Sequence, residues 1–563
     1  MKIAIAQLNP TIGDLAGNAR QILDAAQKAV VQDVRLLLTP ELSLCGYPPR
    51  DLLLHPGFLK TMAETLHQLA ADLPPQLAVL VGAVEPNPQA RDTGGKPLFN
   101  SMVLLEQGQI RQIFHKRLLP TYDVFDEDRY FEPGHQANSF TLTGRGGDGD
   151  SLKIGVTICE DLWNDEEFWG KRTYAVNPIA ALAELGVDLI INLSASPYTV
   201  GKQVVREAML RHAAIRYDCP ILYVNQVGGN DDLIFDGNSV AFDRQGEPVC
   251  RACAFDVDWV LLNVDLDRRD LLPGDTHALP DCEEEEIWGA LVLGVRDYVR
   301  KCGFRKVVIG LSGGIDSSLV AAIATAAIGP NNVLGVLMPS PYSSDHSVED
   351  ALKLAQNLGI QTHTLPIGDL MAGYDRALDA LFVGTPSGIA EENIQSRIRG
   401  NLLMAVSNKF GHLLISTGNK SEMAVGYCTL YGDMNGGLAA IADVPKTRVY
   451  GLCRWLNQQA KSAVIPENVL VKAPSAELKP GQVDQDSLPP YEILDDILNR
   501  FIHEHQTIPQ MVEAGHDPVI VERVVKLVDR AEFKRRQAPP GLKITDRAFG
   551  TGWRMPIAKR SYS

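Results

Sequence analysis

The sequence predicts an α/β protein made of two successive domains, and three observations carry that reading. Up to about residue 265, short β-rich runs alternate with longer helical patterns, as expected for a substantial buried sheet. From Lys306 onward the alternation becomes a βαβ series, consistent with a doubly wound parallel sheet. Between them DLDRRDLLPGDTHALP (265–280) is polar and carries prolines, which reads as a linker. The expected division is therefore 1–265, a linker at 266–282, and 283–563. A length of 563 residues exceeds one core and suits two to four domains.

A formal net charge of −16 disfavours an extended surface for nucleic acid or anionic membrane. Any anionic substrate has to be met by local cations. The start, MKIAIAQLNP, enters a strand-like pattern without the apolar region of a signal peptide, and no apolar run approaches a membrane span. A cytoplasmic location is expected. Nine scattered cysteines do not resemble a disulfide framework. Cys250 and Cys253 form a lone CxxC and read as two ordinary thiols. Gly144 to Gly149 satisfies GxGxxG but precedes a strand instead of opening a helix, so it reads as a turn.

In chain order, the strands expected in the first half are Lys2–Leu8, Arg35–Thr39, Ala78–Val84, Ser101–Leu105, Lys153–Ile158, Asp188–Leu193, Pro220–Asn225 and Ser239–Phe242. Helices are expected over Asn18–Val31, Gly57–Leu73, Asn177–Leu185 and Val204–Tyr217. Functional polar residues should gather at strand ends, and three candidates do. Glu41 follows Arg35–Pro40, Lys116 follows Ile110–His115, and Cys159 closes Ile154–Ile158. A thiol at a strand-to-helix turn is expected to be partly exposed and near a helix N-terminus, two conditions that favour thiolate. Spacing alone does not bring the three together; each read singly is equally a surface ion or a buried thiol.

In the second half, Asp281 is placed to cap a helix whose first turn carries Glu283 to Glu286 and whose apolar face is Ile287, Leu291, Val295 and Val299. Next comes GLSGGIDSS, Gly310 to Ser318, between the apolar run Lys306–Ile309 and a helical pattern over Leu319–Ile328. Small residues between strand and helix leave backbone N–H groups aimed above the helix N-terminus, which is a phosphate cradle. The Walker spacing and its lysine are absent. Instead Ser312, Ser317 and Ser318 add hydroxyl donors, and Asp316 would repel phosphate unless Mg²⁺ stood between them. The loop predicts a metal-complexed di- or triphosphate. Strands at Val333–Met338, Thr362–Ile367 and Leu413–Ser416 and helices at Val348–Leu358 and Asn393–Phe410 complete the series, with Thr417 and Glu422 just past a strand end.

PELSLCGYPPRD (40–51), HKRLLPTYDVFDEDRYFEPG (115–134), ICEDLW (158–163), NLSASPY (192–198) and residues 225–246 resemble the nitrilase, or carbon-nitrogen hydrolase, superfamily. The resemblance implies an αββα sandwich with a Glu-Lys-Cys triad. Cys159 would attack a carboxamide, Glu41 would serve as general base, and Lys116 would stabilise the oxyanion. Glu127 looks like that superfamily's additional carboxylate, and Tyr122, Ser196 and Lys202 would bind glutamine.

SGGIDSS, EENIQSRIRGNLLM (391–404), STGNKSEMAVGYCTLYGD (416–433), KAPSAEL (472–478) and EFKRRQAPPGLKIT (532–545) resemble the Rossmann-like N-type ATP pyrophosphatases and, within them, the NAD synthetase family. The resemblance implies that Gly310, Leu311, Ser312, Gly313, Gly314, Ile315, Asp316, Ser317, Ser318, Thr417, Lys446 and Ser475 bind ATP. Asp316 and Glu422 would serve Mg²⁺, while Asn393, Arg397, Glu422 and Lys534 would hold deamido-NAD. One departure is Leu430, where small ammonia-dependent relatives carry a lysine. Together the resemblances imply amidation of deamido-NAD with ammonia from glutamine, yielding AMP, pyrophosphate and glutamate. They also imply a homo-oligomer whose partners are small molecules. The alternative is the same ATP chemistry on another acceptor.

Overall fold

The apolar runs of the first half pair into two sheets, not one. In the computed structural model, which describes residues 1–144 and 151–560, the first strands are β1 (Lys2–Gln7), β2 (Leu36–Leu38), β3 (Ala78–Pro86), β4 (Leu98–Glu106), β5 (Gln109–His115), β6 (Ser139–Thr143), β7 (Ser151–Ile158) and β8 (Leu189–Ser194). They are followed by β9 (Ile221–Asn225), β10 (Val227–Asn230), β11 (Leu233–Asp236), β12 (Val240–Phe242), β13 (Pro248–Arg251), β14 (Asp258–Asp265) and β15 (Asp270–Leu271). One sheet runs β15-β14-β1-β2-β3-β4-β5 and the other β13-β12-β9-β8-β7-β6. Their inner faces share one apolar core in which Ile3, Ile5, Leu38 and Leu80 of the first meet Ile154, Val156, Ile191 and Val224 of the second. Helices Leu15–Val31 and Pro56–Asp72 turn an apolar stripe inward, and Ile179, Leu182, Met209 and Leu210 cover the second sheet. The result is the αββα sandwich that the family resemblance implies.

Several strands lie where none is expected. In β5, QIRQIFH, Phe114 is the buried position, and β6, SFTLT, lies at the end of its sheet. Residues 145–150, which hold most of the GxGxxG stretch, lie outside the described residues. Cys250 is buried in β13, and the Cys253 thiol donates to the Asp256 carbonyl at 3.7 Å.

The polar stretch expected as a linker is tied down. β15 pairs with β14, and the Gly274 N–H donates to the Val249 carbonyl at 2.7 Å. The chain divides between Asp281 and Cys282, apart from residues 231–233, which group with the second unit. The helix that follows is Glu283–Lys301, and Cys282, not Asp281, occupies its N-cap, with no side-chain bond.

The second unit carries a wholly parallel sheet, β18-β17-β16-β19-β20, from β16 (Val307–Gly310), β17 (Val333–Leu337), β18 (Gln361–Thr364), β19 (Leu413–Ser416) and β20 (Leu438–Ala439). Strand order reverses on either side of β16, which opens a crevice at its C-terminal end. Helix Ile389–Phe410 packs Ile398, Leu402 and Leu403 against Val308, Val336 and Leu414. Helix Ile315–Ile328 buries ten of its 14 residues, mostly alanine, isoleucine and leucine. A separate helical core forms around Leu494, Ile497, Val521 and Val524.

Gly82 of β3 fixes the turn that presents Glu41. A Cβ there would stand 2.2 Å from the Leu42 nitrogen and 2.5 Å from the Pro40 oxygen. Gly82→Ala is therefore expected to cost about 1–3 kcal/mol by overpacking and to displace Glu41. A lower unfolding midpoint of the first unit in denaturant titration checks this; an unchanged midpoint would remove Gly82 from the argument.

Candidate active site

Strand ends bring the first group of candidates together. Glu41 lies three residues past β2, Lys116 directly follows β5, and Cys159 directly follows β7. The Lys116 Nζ donates to Glu41 Oε1 at 2.7 Å and to Glu127 Oε1 at 2.8 Å, with all three residues buried. Asn100 Nδ2 at 2.7 Å and the Ala195 N–H at 3.0 Å donate to the remaining positions on Glu41. The Tyr47 hydroxyl donates to Glu127 at 2.8 Å. Burial opposes the charge on Lys116, but the two carboxylates together hold its pKa well above the ordinary value. Burial pushes Glu127 up to about 7 in spite of Lys116.

Cys159 differs from expectation. Its backbone is in the left-handed region, φ 44°, and its residue is buried. Burial pushes the thiol well above its usual range and Glu41 adds to the effect, while Lys116 opposes it. The expected partly exposed, thiolate-prone cysteine is instead an enclosed, protonated thiol beside a carboxylate. The short 3₁₀ turn Cys159–Leu162 lacks the aligned N–H groups of a long helix.

Around it, Glu160 accepts from the Tyr122 hydroxyl at 3.0 Å and the Tyr174 hydroxyl at 2.9 Å. Asp161 accepts from the N–H groups of Arg117, Leu118 and Ile158 at 3.0, 2.8 and 3.0 Å, tying the lysine segment to the cysteine strand. The Ser196 N–H donates to Asn225 at 2.9 Å, and Lys202 donates to the Pro197 carbonyl at 2.8 Å with Trp163 under its ammonium. Sequence reasoning missed Asn100, Glu160, Asp161 and Tyr174. Asn100, a polar residue inside the apolar run of β4, was the legible signal among them.

The second group lines a cavity of about 440 Å³ at the β16 crevice. Gly310, Leu311, Ser312, Gly314, Ile315, Asp316, Ser317, Asn393, Thr417, Glu422, Lys446, Ser475 and Lys534 all reach its wall. Gly313 packs behind it; with φ 75° and a virtual Cβ 2.1 Å from the Ser347 oxygen, no other residue fits. Ser318 is also off the wall, buried and donating to the Gly314 carbonyl at 2.8 Å, so it satisfies the helix turn instead of a phosphate. Arg397 is exposed and donates to the Leu430 carbonyl at 3.2 Å, outside the cavity lining.

Lys446 bridges Asp316 and Glu422, the latter at 3.3 Å, and Asn419 donates to Asp316 at 2.9 Å. Burial raises Glu422 to about 8, against Lys446. Two hard carboxylates beside a phosphate cradle are the donor set that Mg²⁺ takes together with nucleotide oxygens. Among the described residues no group of three or more His, Cys, Asp or Glu could hold a metal unaided. No helix among them is long and apolar enough to cross a membrane. Asn393 accepts from Thr429 at 2.8 Å, and Lys534 donates to the Gly426 and Cys428 carbonyls at 2.8 and 2.7 Å. Ser475 donates to the Gln482 carbonyl. Asp433 and Asp484, also on the wall, were not singled out from sequence.

A buried carboxylate-lysine-thiol cluster in a sandwich and a phosphate cradle on a parallel sheet define a carbon-nitrogen hydrolase unit joined to a nucleotide-activating unit. Residues 2–272 match the carbon-nitrogen hydrolase family model and residues 287–538 the NAD synthase model. The glutamine-dependent NAD(+) synthetase of Synechocystis sp. is 61% identical over 557 residues, covering 99% of this chain and 98% of that protein. That of Thermotoga maritima is 44% identical, covering 100% and 99%. The solved glutamine-dependent NAD+ synthetase from Acinetobacter baumannii, in complex with ADP, superimposes with a TM-score of 0.77 at 40% identity, covering 99% of this chain and 98% of that one. The chain belongs to the glutamine-dependent NAD(+) synthetase family.

Glu127 supplies a pH test. Below about pH 7 its neutral form prevails and Lys116 loses a counter-charge; as pH rises through 7 the carboxylate forms. Glutamine hydrolysis should therefore rise through an acidic limb near pH 7. In Glu127→Gln that limb should vanish and kcat fall by about tenfold or more, the scale of a lost electrostatic contact. A variant with the wild-type limb would assign it to another group.

Proposed function

We infer that the chain amidates deamido-NAD to NAD at the cost of ATP, with nitrogen drawn from glutamine. The coexistence of the buried Glu41-Lys116-Cys159 cluster and the Gly310–Ser318 cradle in one chain carries this reading.

In the first unit Cys159 Sγ attacks the side-chain carboxamide carbon of glutamine as Glu41 takes the thiol proton. Lys116 lies beside the oxyanion of the tetrahedral intermediate. Collapse returns the proton to the leaving nitrogen and expels ammonia, leaving a thioester. Glu41 then activates water, and hydrolysis releases glutamate and the thiol. Tyr122, Ser196 and Lys202 hold the glutamine, and Glu127 keeps Lys116 charged.

In the second unit the nicotinate carboxylate of deamido-NAD attacks the α-phosphorus of ATP and expels pyrophosphate. The activation is needed because a carboxylate is a poor electrophile and AMP a far better leaving group than oxide. Ammonia displaces AMP, giving the nicotinamide. Loop N–H groups, Ser312, Ser317, Thr417, Lys446 and Ser475 receive ATP; Asn393, Glu422 and Lys534 on the cavity wall receive deamido-NAD, and Arg397 meets the part of it that extends beyond that wall. Asp316 and Glu422 would hold Mg²⁺, which neutralises phosphate charge when bound.

Cys159→Ala should lose more than about 99% of glutamine-driven synthesis, as expected for loss of a nucleophile, while ammonium-driven synthesis persists. Assays of NAD, AMP, pyrophosphate and glutamate check this. Loss of both activities would refute the division of labour, and ADP in place of AMP would refute attack at the α-phosphorus. Chelation of Mg²⁺ should stop the ammonium-driven reaction.

The chain is proposed to act in the cytoplasm, on small molecules, without nucleic acid or membrane, as a homo-oligomer. Helix Gly368–Phe382 buries none of its residues, and Leu381 within it and Val383 and Ile389 after it are 73–76% exposed. Such a face suits an interface between copies. Light scattering should give a multiple of 61.5 kDa that falls when Leu381 and Ile389 become aspartate; a wild-type monomer would refute the assembly.

A further inference from the structure

Successive odd positions on a helix point to nearly opposite sides, at about 100° per residue. In helix Ile389–Phe410 this separates Arg397, which is exposed, from Arg399, which lines the cavity of the second unit. The Arg399 Nε donates to the Met338 carbonyl at 3.1 Å, just past the C-terminal end of β17. Leu403, one turn along the same face, has its Cδ1 3.2 Å from where a Cβ on Gly310 would stand. The guanidinium is thus fixed at one nitrogen, on a helix face that packs against the first residue of the phosphate cradle.

Its two Nη groups make no hydrogen bond or ion pair among the described residues. The other cavity-lining cations are engaged. Lys446 is held by Asp316 and Glu422, Lys472 by Asp350 at 3.2 Å, and Lys534 by two carbonyls. The wall carries six carboxylates and four cations, so a polyphosphate entering it is best met by a cation whose donors are not already committed.

The chain shows where that anion belongs. Glu477, whose charge Arg399 feels, sits at the start of helix Asp345–Leu358, accepting from Ser347 Oγ at 2.7 Å and Ser344 Oγ at 2.9 Å. Ser347 in turn packs its carbonyl against Gly313 of the cradle. Gly310 and Gly314 of the cradle, Ser347 at the helix start, Glu477 and Arg399 therefore line one cavity.

We propose that Arg399 is a substrate-binding residue whose two Nη groups grip the triphosphate of ATP and then the released pyrophosphate. A guanidinium fork matches phosphate oxygens bidentately, which an ammonium does not. The assignment rests on reading this cavity as the ATP site. Its bond to Met338 and its place on the helix face that packs on Gly310 select the triphosphate over the pyrophosphate bridge of deamido-NAD.

The test measures ammonium-driven synthesis by the full chain carrying Arg399→Gln or Arg399→Lys. KM for ATP should rise about tenfold or more, the scale of a lost charge-assisted pair, and inhibition by inorganic pyrophosphate should weaken by a similar factor. KM for deamido-NAD should stay within about twofold, and glutamine hydrolysis should be unchanged. Arg399→Lys should recover only part of the ATP affinity. Unchanged ATP and pyrophosphate constants would overturn the proposal, as would a rise confined to deamido-NAD. If Arg399→Gln does not fold, titration of pyrophosphate into wild type and Arg399→Lys by calorimetry decides: equal affinities overturn it. Failure of the underlying reading looks different, since the wild type itself would then release no AMP and pyrophosphate.

Discussion

A lysine ammonium without contact to water is the constraint on which the first unit depends. Lys116 and Glu41 are 0% exposed and Glu127 5%. An unpaired buried ion costs several kcal/mol, and only close, well-oriented partners offset that. Here the partners come from three separate chain segments, so the turns after β2 and β5 and the loop at 127 cannot move independently. Asn100 donates to Glu41 Oε1, the Ala195 N–H to Glu41 Oε2 and Tyr47 to Glu127 Oε1, while Glu127 Oε2 meets only the lysine ammonium, at 2.8 Å. A cluster so densely bonded ties the strand ends to one another in addition to the apolar core between the sheets.

The second unit uses the same charge pattern under different conditions. Lys446 again lies between two carboxylates, yet Asp316 and Glu422 are 17% and 18% exposed and border an open cavity. Partners on a cavity wall can be exchanged; partners sealed in a core cannot. That difference fits the two reactions. The hydrolase site meets a small substrate whose charge develops at one atom, where fixed dipoles and charges act best. The nucleotide site must admit and release highly charged phosphates, so its own ions have to neutralise one another when no nucleotide is bound.

Much of this was legible because strand ends announce themselves. Glu41 and Cys159 each follow a short apolar run, and the Gly-rich loop follows β16. Edge strands were harder: β5 has one buried position of seven, so no alternation betrays it. The orientation of Ser318 was also out of reach. Its hydroxyl could serve a phosphate or a helix carbonyl equally on sequence grounds, and one extra residue into the helix turned it inward. The stretch after Asp265 looks like a linker by composition, since its pairing with β14 and β13 is a matter of backbone groups that composition does not record. Arg397 and Arg399 form the last such case. Sequence singled out Arg397, whereas helical phase turns it outward and sets Arg399 on the cavity wall.

The enclosed thiol of Cys159 changes how the first reaction is understood. A thiolate prepared in advance would place a second negative charge beside Glu41, in a site that is already negative once Glu127 is ionised. Burial and Glu41 both oppose that. If the proton passes to Glu41 as sulfur attacks, the negative charge that leaves the carboxylate reappears on the substrate oxygen. Lys116, partly released from Glu41, then lies next to the new anion with Glu127 still paired to it. Negative charge moves within the site while its total stays constant, and little reorganisation of a buried environment is required. On the proposed mechanism, the carboxylate that adds to burial in keeping the thiol protonated at rest is also the group that lets it react.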